Sequence, residues 1–160
     1  MTDVLPIPEG YPQVIPYLSV EGAEEAIDFY VEVLGAVETV RMAGPGGKIG
    51  HAELTIGASV LMLAESVPEM GGTTPKVLGG SPVTVMVYVE DVDAVFARAL
   101  ASGATEERPV QNQFYGDRAG AFVDPFGHKW FVATHIEDVG AEELQRRAAA
   151  LAHGGGAGEA

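Results

Sequence analysis

His51 and Glu53 are the residues of this chain best suited to chemistry. They stand two apart in a stretch, Lys48–Ile56, that reads as a strand, so their side chains project from the same face. An imidazole titrates near neutral pH and a neighbouring carboxylate can orient it, so the pair could relay a proton or anchor a polar group of a ligand. The plainer alternative leaves His51 in solvent at the strand end and gives Glu53 a hydrogen bond from a tyrosine. A second polar cluster, Gln113, Tyr115, Asp117 and Arg118, follows in the loop Gln111–Asp117 and the strand after it. Arg118 could fork onto a carboxylate or phosphate of a ligand, or it could join a surface ion pair with Asp117. His128, His135 and His153 lack metal-ligand spacing, Gly44-Pro45-Gly46-Gly47 lacks the Lys-Ser/Thr ending of a phosphate loop, and no nucleophile elbow is visible.

Composition narrows the classes. The 160 residues suit one domain with a substantial core, and the absence of cysteine excludes disulfides, thiolate metal sites and cysteine nucleophiles. Nine Lys plus Arg against 23 Asp plus Glu leave a formal charge of −14, which repels phosphate backbones and anionic bilayers, so neither nucleic acid nor membrane is an expected partner. Met1-Thr2-Asp3-Val4 has no basic region followed by an apolar run, and no segment has the length of a bilayer span. A cytoplasmic location is the expectation.

The elements that must position these residues come in two similar sets. Tyr17-Leu18-Ser19-Val20-Glu21 runs into a helical pattern over Ala23–Leu34, and Val87-Tyr88-Val89-Glu90-Asp91 runs into another over Val92–Ala101. In the first helix Ala26, Ile27, Tyr30, Val31 and Leu34 form the apolar stripe, with Glu24, Glu25, Asp28 and Glu32 toward water. Strands are predicted at 14–20, 37–42, 48–56 and 58–64, then at 83–89, 105–110, 118–123 and 129–134. Pro16 cannot donate to a ladder and belongs at an edge or bulge. Residues 65–82 read as an irregular linker, a candidate lid. The division is a lead-in over 1–11, a domain over 12–136 with modules 12–64 and 82–136, a C-terminal helix over 137–153 and a disordered tail over 154–160. The fold class is α+β, two strand–helix–strands units with a cavity between them.

Three segments carry a family resemblance: Ala26-Ile27-Asp28-Phe29-Tyr30 leading to Leu34-Gly35, Asp124-Pro125-Phe126-Gly127-His128-Lys129-Trp130, and Gln113-Phe114-Tyr115-Gly116-Asp117-Arg118. With the paired halves they resemble the vicinal oxygen chelate superfamily, the glyoxalase I, bleomycin-resistance and extradiol-dioxygenase group, and within it the PhnB-like branch. The resemblance implies two βαβββ modules forming a cupped mixed sheet around a pocket, commonly in a dimer, so a homodimer is expected. It also implies four metal-ligand positions, which fall here on Ile15, Glu53, Thr84 and Phe131. Only Glu53 ligates strongly, and one carboxylate does not hold a catalytic divalent ion, which needs about three protein ligands. The expectation is no resident metal, with Mg weakly held through water and Glu53 as the most that this set could do.

By the same correspondence Ile15, Tyr17, Met86, Tyr88 and Phe131 face the cup, while Trp130 points to the helix side. The residues expected to contact a ligand are Ile15, Tyr17, His51, Glu53, Thr84, Met86, Tyr115, Arg118 and Phe131. An apolar, aromatic lining with one orienting acid suits a hydrophobic or amphipathic small molecule. Three functions stay open: a metal-free binding protein, a lyase, isomerase or dioxygenase-like enzyme using His51 and Glu53 as its catalytic residues, or a purely structural or regulatory interaction protein.

Overall fold

The computed structural model describes residues 4–154. The expected tail beyond Gly154 and the first three residues of the lead-in lie outside that range. The first module comprises β1 (Tyr17–Val20), α1 (Ala23–Leu34), β2 (Val37–Ala43), β3 (Ile49–Ile56) and β4 (Ser59–Glu65). A connection containing α2 (Pro75–Leu78) leads to β5 (Thr84–Tyr88), α3 (Val92–Ala101), β6 (Thr105–Asn112), β7 (Asp117–Val123) and β8 (Lys129–His135), followed by α4 (Ala141–Gly154). Each module is a four-stranded mixed sheet, ordered β1-β4-β3-β2 and β5-β8-β7-β6, with the βαβββ connectivity read from the repeat. The β1–β4 and β5–β8 pairs are parallel and the other pairs antiparallel.

Local chemistry explains where the helices begin and end. Gly22 has no side chain to cap α1, and Glu65 at the end of β4 supplies the cap instead, its Oε2 accepting from the N–H of Ala23 at 2.7 Å. Gly35 takes the left-handed conformation that closes the helix. In α3 the Asp91 carboxylate accepts from the Ala94 N–H at 3.0 Å. The buried side of α1 is wider than the predicted stripe. Phe29 and Val33 are buried with Ala26, Ile27, Tyr30 and Leu34, whereas Val31 is exposed. The reason is that α1 packs on α3 as well as on its own sheet, so two sides of the helix are covered.

Three further differences have local causes. The first strand begins at Tyr17 rather than at 14, because Pro16 contributes only its carbonyl, which accepts from the Met62 N–H at 3.0 Å. The linker is not wholly irregular: Thr74 caps α2, accepting from the Val77 N–H at 3.4 Å, with Pro75 at the first helical position. The sixth strand runs to Asn112 and the seventh starts at Asp117, which shortens the polar-aromatic loop.

The two helices lie between the sheets, and one hydrophobic core joins both modules. Phe29 of α1 meets Phe122 and Phe126 edge-on at 6.3 and 6.2 Å. At the centre is a buried carboxylate. Asp124 Oδ2 accepts from the Tyr30 hydroxyl at 2.6 Å and from the Trp130 indole N–H at 2.9 Å. Its Oδ1 accepts from the backbone N–H groups of Phe126 and His128, both at 2.9 Å. The Asp-Pro-Phe-Gly turn thus ties α1 of one module to β8 of the other.

Because the helices cover one face of each sheet, the opposite faces are open. Tyr17 on the first sheet and Met86 and Tyr88 on the second are about half exposed, at 54%, 47% and 58%. The strand alternation has put apolar side chains on both faces, and the helices cover only one of them.

Candidate ligand-binding site

The open face of the first sheet carries the chemistry. Tyr17 lies opposite Met62 and Met62 opposite Glu53, so one row crosses β1, β4 and β3. His51 sits two residues before Glu53 on β3, projecting to the same side. Its Nε2 is 3.0 Å from Glu53 Oε1 and its Nδ1 is 2.7 Å from the Tyr17 hydroxyl. A carboxylate only accepts, so Nε2 carries a proton, and in the neutral imidazole Nδ1 then accepts from Tyr17. The second Glu53 oxygen, Oε2, accepts from the Tyr11 hydroxyl at 2.6 Å. Glu53 is buried to 9% exposure, yet its carboxyl is held below the usual carboxylate range, first by the Tyr11 hydrogen bond and then by that of His51. The same bond pushes the Tyr11 phenol up.

Around this polar array the surface is apolar. Ile15, Glu53 and Met62 form one side of an open hollow of about 690 Å³, and Pro6, Ile7, Pro8, Tyr11 and Pro12 line the other.

The second sheet repeats the geometry without the acid. Met86 lies opposite Phe131 and Phe131 opposite Ala121, the row equivalent to Tyr17–Met62–Glu53. Alanine therefore stands where the first module has Glu53. Thr84 is on the same strand as Met86, two residues earlier, and both are exposed. At the end of this face Asp117 is buried and accepts from the Tyr88 hydroxyl at 2.8 Å, and lies 2.7 Å from His135 Nδ1. Asp138 holds the other ring nitrogen at 2.9 Å. The two carboxylates, Asp138 first, push the His135 imidazole up. Tyr115 packs edge-on against Phe114 at 5.2 Å, and burial together with the Asp117 charge raises its phenol.

The nine residues singled out from sequence thus divide. Ile15, Tyr17, His51 and Glu53 come together on the first sheet, and Thr84, Met86 and Phe131 on the second, with Tyr115 beside the latter's Asp117 end. Arg118 goes elsewhere: alternation along β7 turns it to the helix side, where it forks onto Asp93 of α3 at 2.7 Å through both Nε and Nη2 and donates to Asn112 at 3.0 Å. Trp130 is buried against Tyr30 with ring centroids 5.3 Å apart. Sequence reasoning missed Tyr11 and His135. Tyr11 lies in a proline-rich stretch with no periodicity to say where it points. His135 pairs with Asp117 across a strand ladder, which only the register of β7 and β8 defines.

Residues 13–132 match the family described as the Glyoxalase/Bleomycin resistance protein/Dioxygenase superfamily. The chain belongs to this superfamily. An uncharacterised protein of Mycobacterium bovis is 46% identical over 137 residues, which cover 84% of this chain and 90% of the relative. Among solved structures, TioX from Micromonospora sp. ML1 is 28% identical with a TM-score of 0.59, covering 78% of this chain and 99% of that one. The PhnB protein from Bacillus cereus shares the fold at 21% identity, with a TM-score of 0.61 and coverage of 77% and 99%.

Superfamily membership raises the question of a divalent ion, and the donor set answers it. At the four positions that the family resemblance implies, Ile15 and Phe131 have no donor, Thr84 has a hydroxyl and only Glu53 has a charged oxygen. The next donor, His51, spends Nε2 on Glu53 itself. Among the described residues no group of three or more His, Asp or Glu side chains is placed to hold a metal ion. The residues present do not fit the ion. Among the described residues no helix is long and apolar enough to cross a membrane.

Proposed function

We propose that this superfamily member is a small-molecule-binding protein of the glyoxalase/bleomycin-resistance type, holding a hydrophobic or amphipathic ligand on its open sheet face without a catalytic metal. The observation that carries the reading is the Tyr17–His51–Glu53 array set in an apolar surface, where one polar end can orient a ligand and the rest can bury it. The exposed Tyr17, Met42, Met86 and Tyr88 support a homodimer that closes the open faces over the ligand, with an interface above about 1,200 Å². Native mass spectrometry with elemental analysis of freshly purified protein tests this. The expected result is a dimer with far less than one equivalent of Zn, Ni, Mn or Fe. Stoichiometric metal that survives dialysis and is lost on Glu53→Ala overturns it, and so does a strict monomer at tens of micromolar.

The enzymatic alternative draws on the 3.0 Å His51–Glu53 contact, which has the geometry of a proton-transfer pair. Against it, both His51 nitrogens and both Glu53 oxygens are already engaged. His51 has no free nitrogen at which to receive a substrate proton until Tyr17 moves away, and Glu53 is held as a weakly basic carboxylate. Binding is therefore the reading adopted.

A further inference from the structure

The segment before β1 crosses the first sheet's open face and puts a phenol on its acid. The Tyr11 N–H closes a turn onto the Pro8 carbonyl at 3.2 Å, and the hydroxyl then reaches Glu53 at 2.6 Å. Pro6, Pro8, Pro12 and Pro16 interrupt this segment and deny it regular helix or ladder bonding. Among the described residues, the Tyr11–Glu53 bond is the single side-chain hydrogen bond from residues 4–16 to the body of the protein. Val4, Leu5, Ile7 and Val14 remain exposed, so apolar packing adds little hold. A ten-residue strap, 4–13, fastened at one point can open without disturbing the core.

The array beneath defines what could replace that phenol. With the imidazole neutral, the Tyr17 proton is spent on His51 and the His51 proton on Glu53, so only oxygen lone pairs are left facing the hollow. A ligand must therefore bring the proton. It cannot profitably bring a negative charge, because no Lys or Arg joins the array. Arg41 on the adjacent strand is taken by Glu38 and Glu24 at 2.8 and 3.3 Å.

We propose that residues 4–13 form a strap latched by Tyr11 on Glu53, and that the ligand displacing it is an uncharged aromatic molecule carrying a hydroxyl donor, a phenol in chemical class. This rests on the binding function proposed above. Tyr11 occupies the site as an internal competitor, so free phenols bind against it, and ligand occupancy and strap release become one event.

The probe is p-cresol, the tyrosine side chain as a free molecule, titrated by NMR into full-length wild type, Tyr11→Ala, Tyr11→Phe and Tyr11→Ala/Glu53→Gln. Toluene and 4-methylbenzoate serve as the donor-free and anionic controls. Loss of a charge-assisted hydrogen bond in the competitor predicts binding about tenfold tighter in Tyr11→Ala than in wild type, and at least about threefold tighter in Tyr11→Phe. In Tyr11→Ala, p-cresol should outbind both controls, and Glu53→Gln should cut that advantage over toluene. Cleavage at Glu9–Gly10 by a glutamate-specific protease should be several-fold faster in Tyr11→Phe and in wild type saturated with p-cresol. Equal affinity in wild type and both Tyr11 variants overturns the latch, and p-cresol binding no better than toluene, or not at all, overturns the ligand class. Either leaves metal-free binding of another ligand standing, since that reading falls on the metal and assembly measurements instead.

Discussion

Replacing Tyr30 with Phe removes one oxygen from the most crowded polar point in the protein and nothing else. The side chain is fully buried, and its hydroxyl is one of four donors on Asp124, at 2.6 Å beside three at 2.9 Å. Phenylalanine keeps the ring contacts with Phe126 and Trp130 and opens a void smaller than a methyl group, so the cavity contribution is small. What is lost is a buried hydrogen bond to a charged group, worth about 1.5–3 kcal/mol. With a urea m-value of about 2 kcal/mol/M for a chain of this size, the midpoint should fall by about 1 M. Trp130 is the sole tryptophan and shares the carboxylate with Tyr30, so its fluorescence reports unfolding from the hub itself. Wild type and variant must be compared at one protein concentration, because association would stabilise both by mass action. Asp124→Asn should cost more, since its amide presents N–H groups to donors already pointing inward. The double variant should be less destabilised than the sum of the two singles. A midpoint shift below about 0.25 M for Tyr30→Phe, or strict additivity, would refute the view that Asp124 couples the modules.

Other outcomes follow from the site and its supports. Glu53 is held below its ordinary value, so the stabilisation it brings is fully present above about pH 4.5 and fades as the pH falls through its folded-state value. Carboxyl NMR titration should place Glu53 below the ordinary glutamate range, and Tyr11→Phe should raise it. His135 behaves oppositely: its raised value gives stabilisation below the ordinary imidazole range that is lost as the pH rises past it, and Asp138→Asn should lower the titration seen by imidazole NMR. Gly116 has φ +97°, and a Cβ there would stand 2.1 Å from the Glu137 carbonyl oxygen, so Gly116→Ala should destabilise by at least about 2 kcal/mol in urea unfolding. A smaller loss would show that the turn shifts freely away from β8.

Much of the architecture was legible because it depends on periods of 2 and 3.6 that neighbouring residues reveal. The two helices, the order of eight strands and the end of α1 at Gly35 could be read that way, and so could the shared face of His51 and Glu53. The Thr74-Pro75 cap was also written in the chain, though it marks a single turn too short for a periodic signal. Phe29 and Val33 were left out of the stripe for a different reason. A helix stripe assumes one covered side, and α1 has two, facing its sheet and α3.

What one-dimensional patterning decided by itself was which residue types alternate onto the open face; that one carboxylate stands among four ligand positions is what the family resemblance implies. What tertiary structure alone decided was who meets that carboxylate. The 42-residue separation between Tyr11 and Glu53 has no periodic signature, and the strap's path over the sheet comes from a proline turn and a single hydrogen bond. The destination of Arg118 was likewise settled by pairing, because the register of β7 turns its guanidinium onto Asp93, 25 residues away on α3. Local sequence encodes direction along a strand or helix, whereas a partner from a distant segment is chosen only when the chain has folded and the two surfaces have closed.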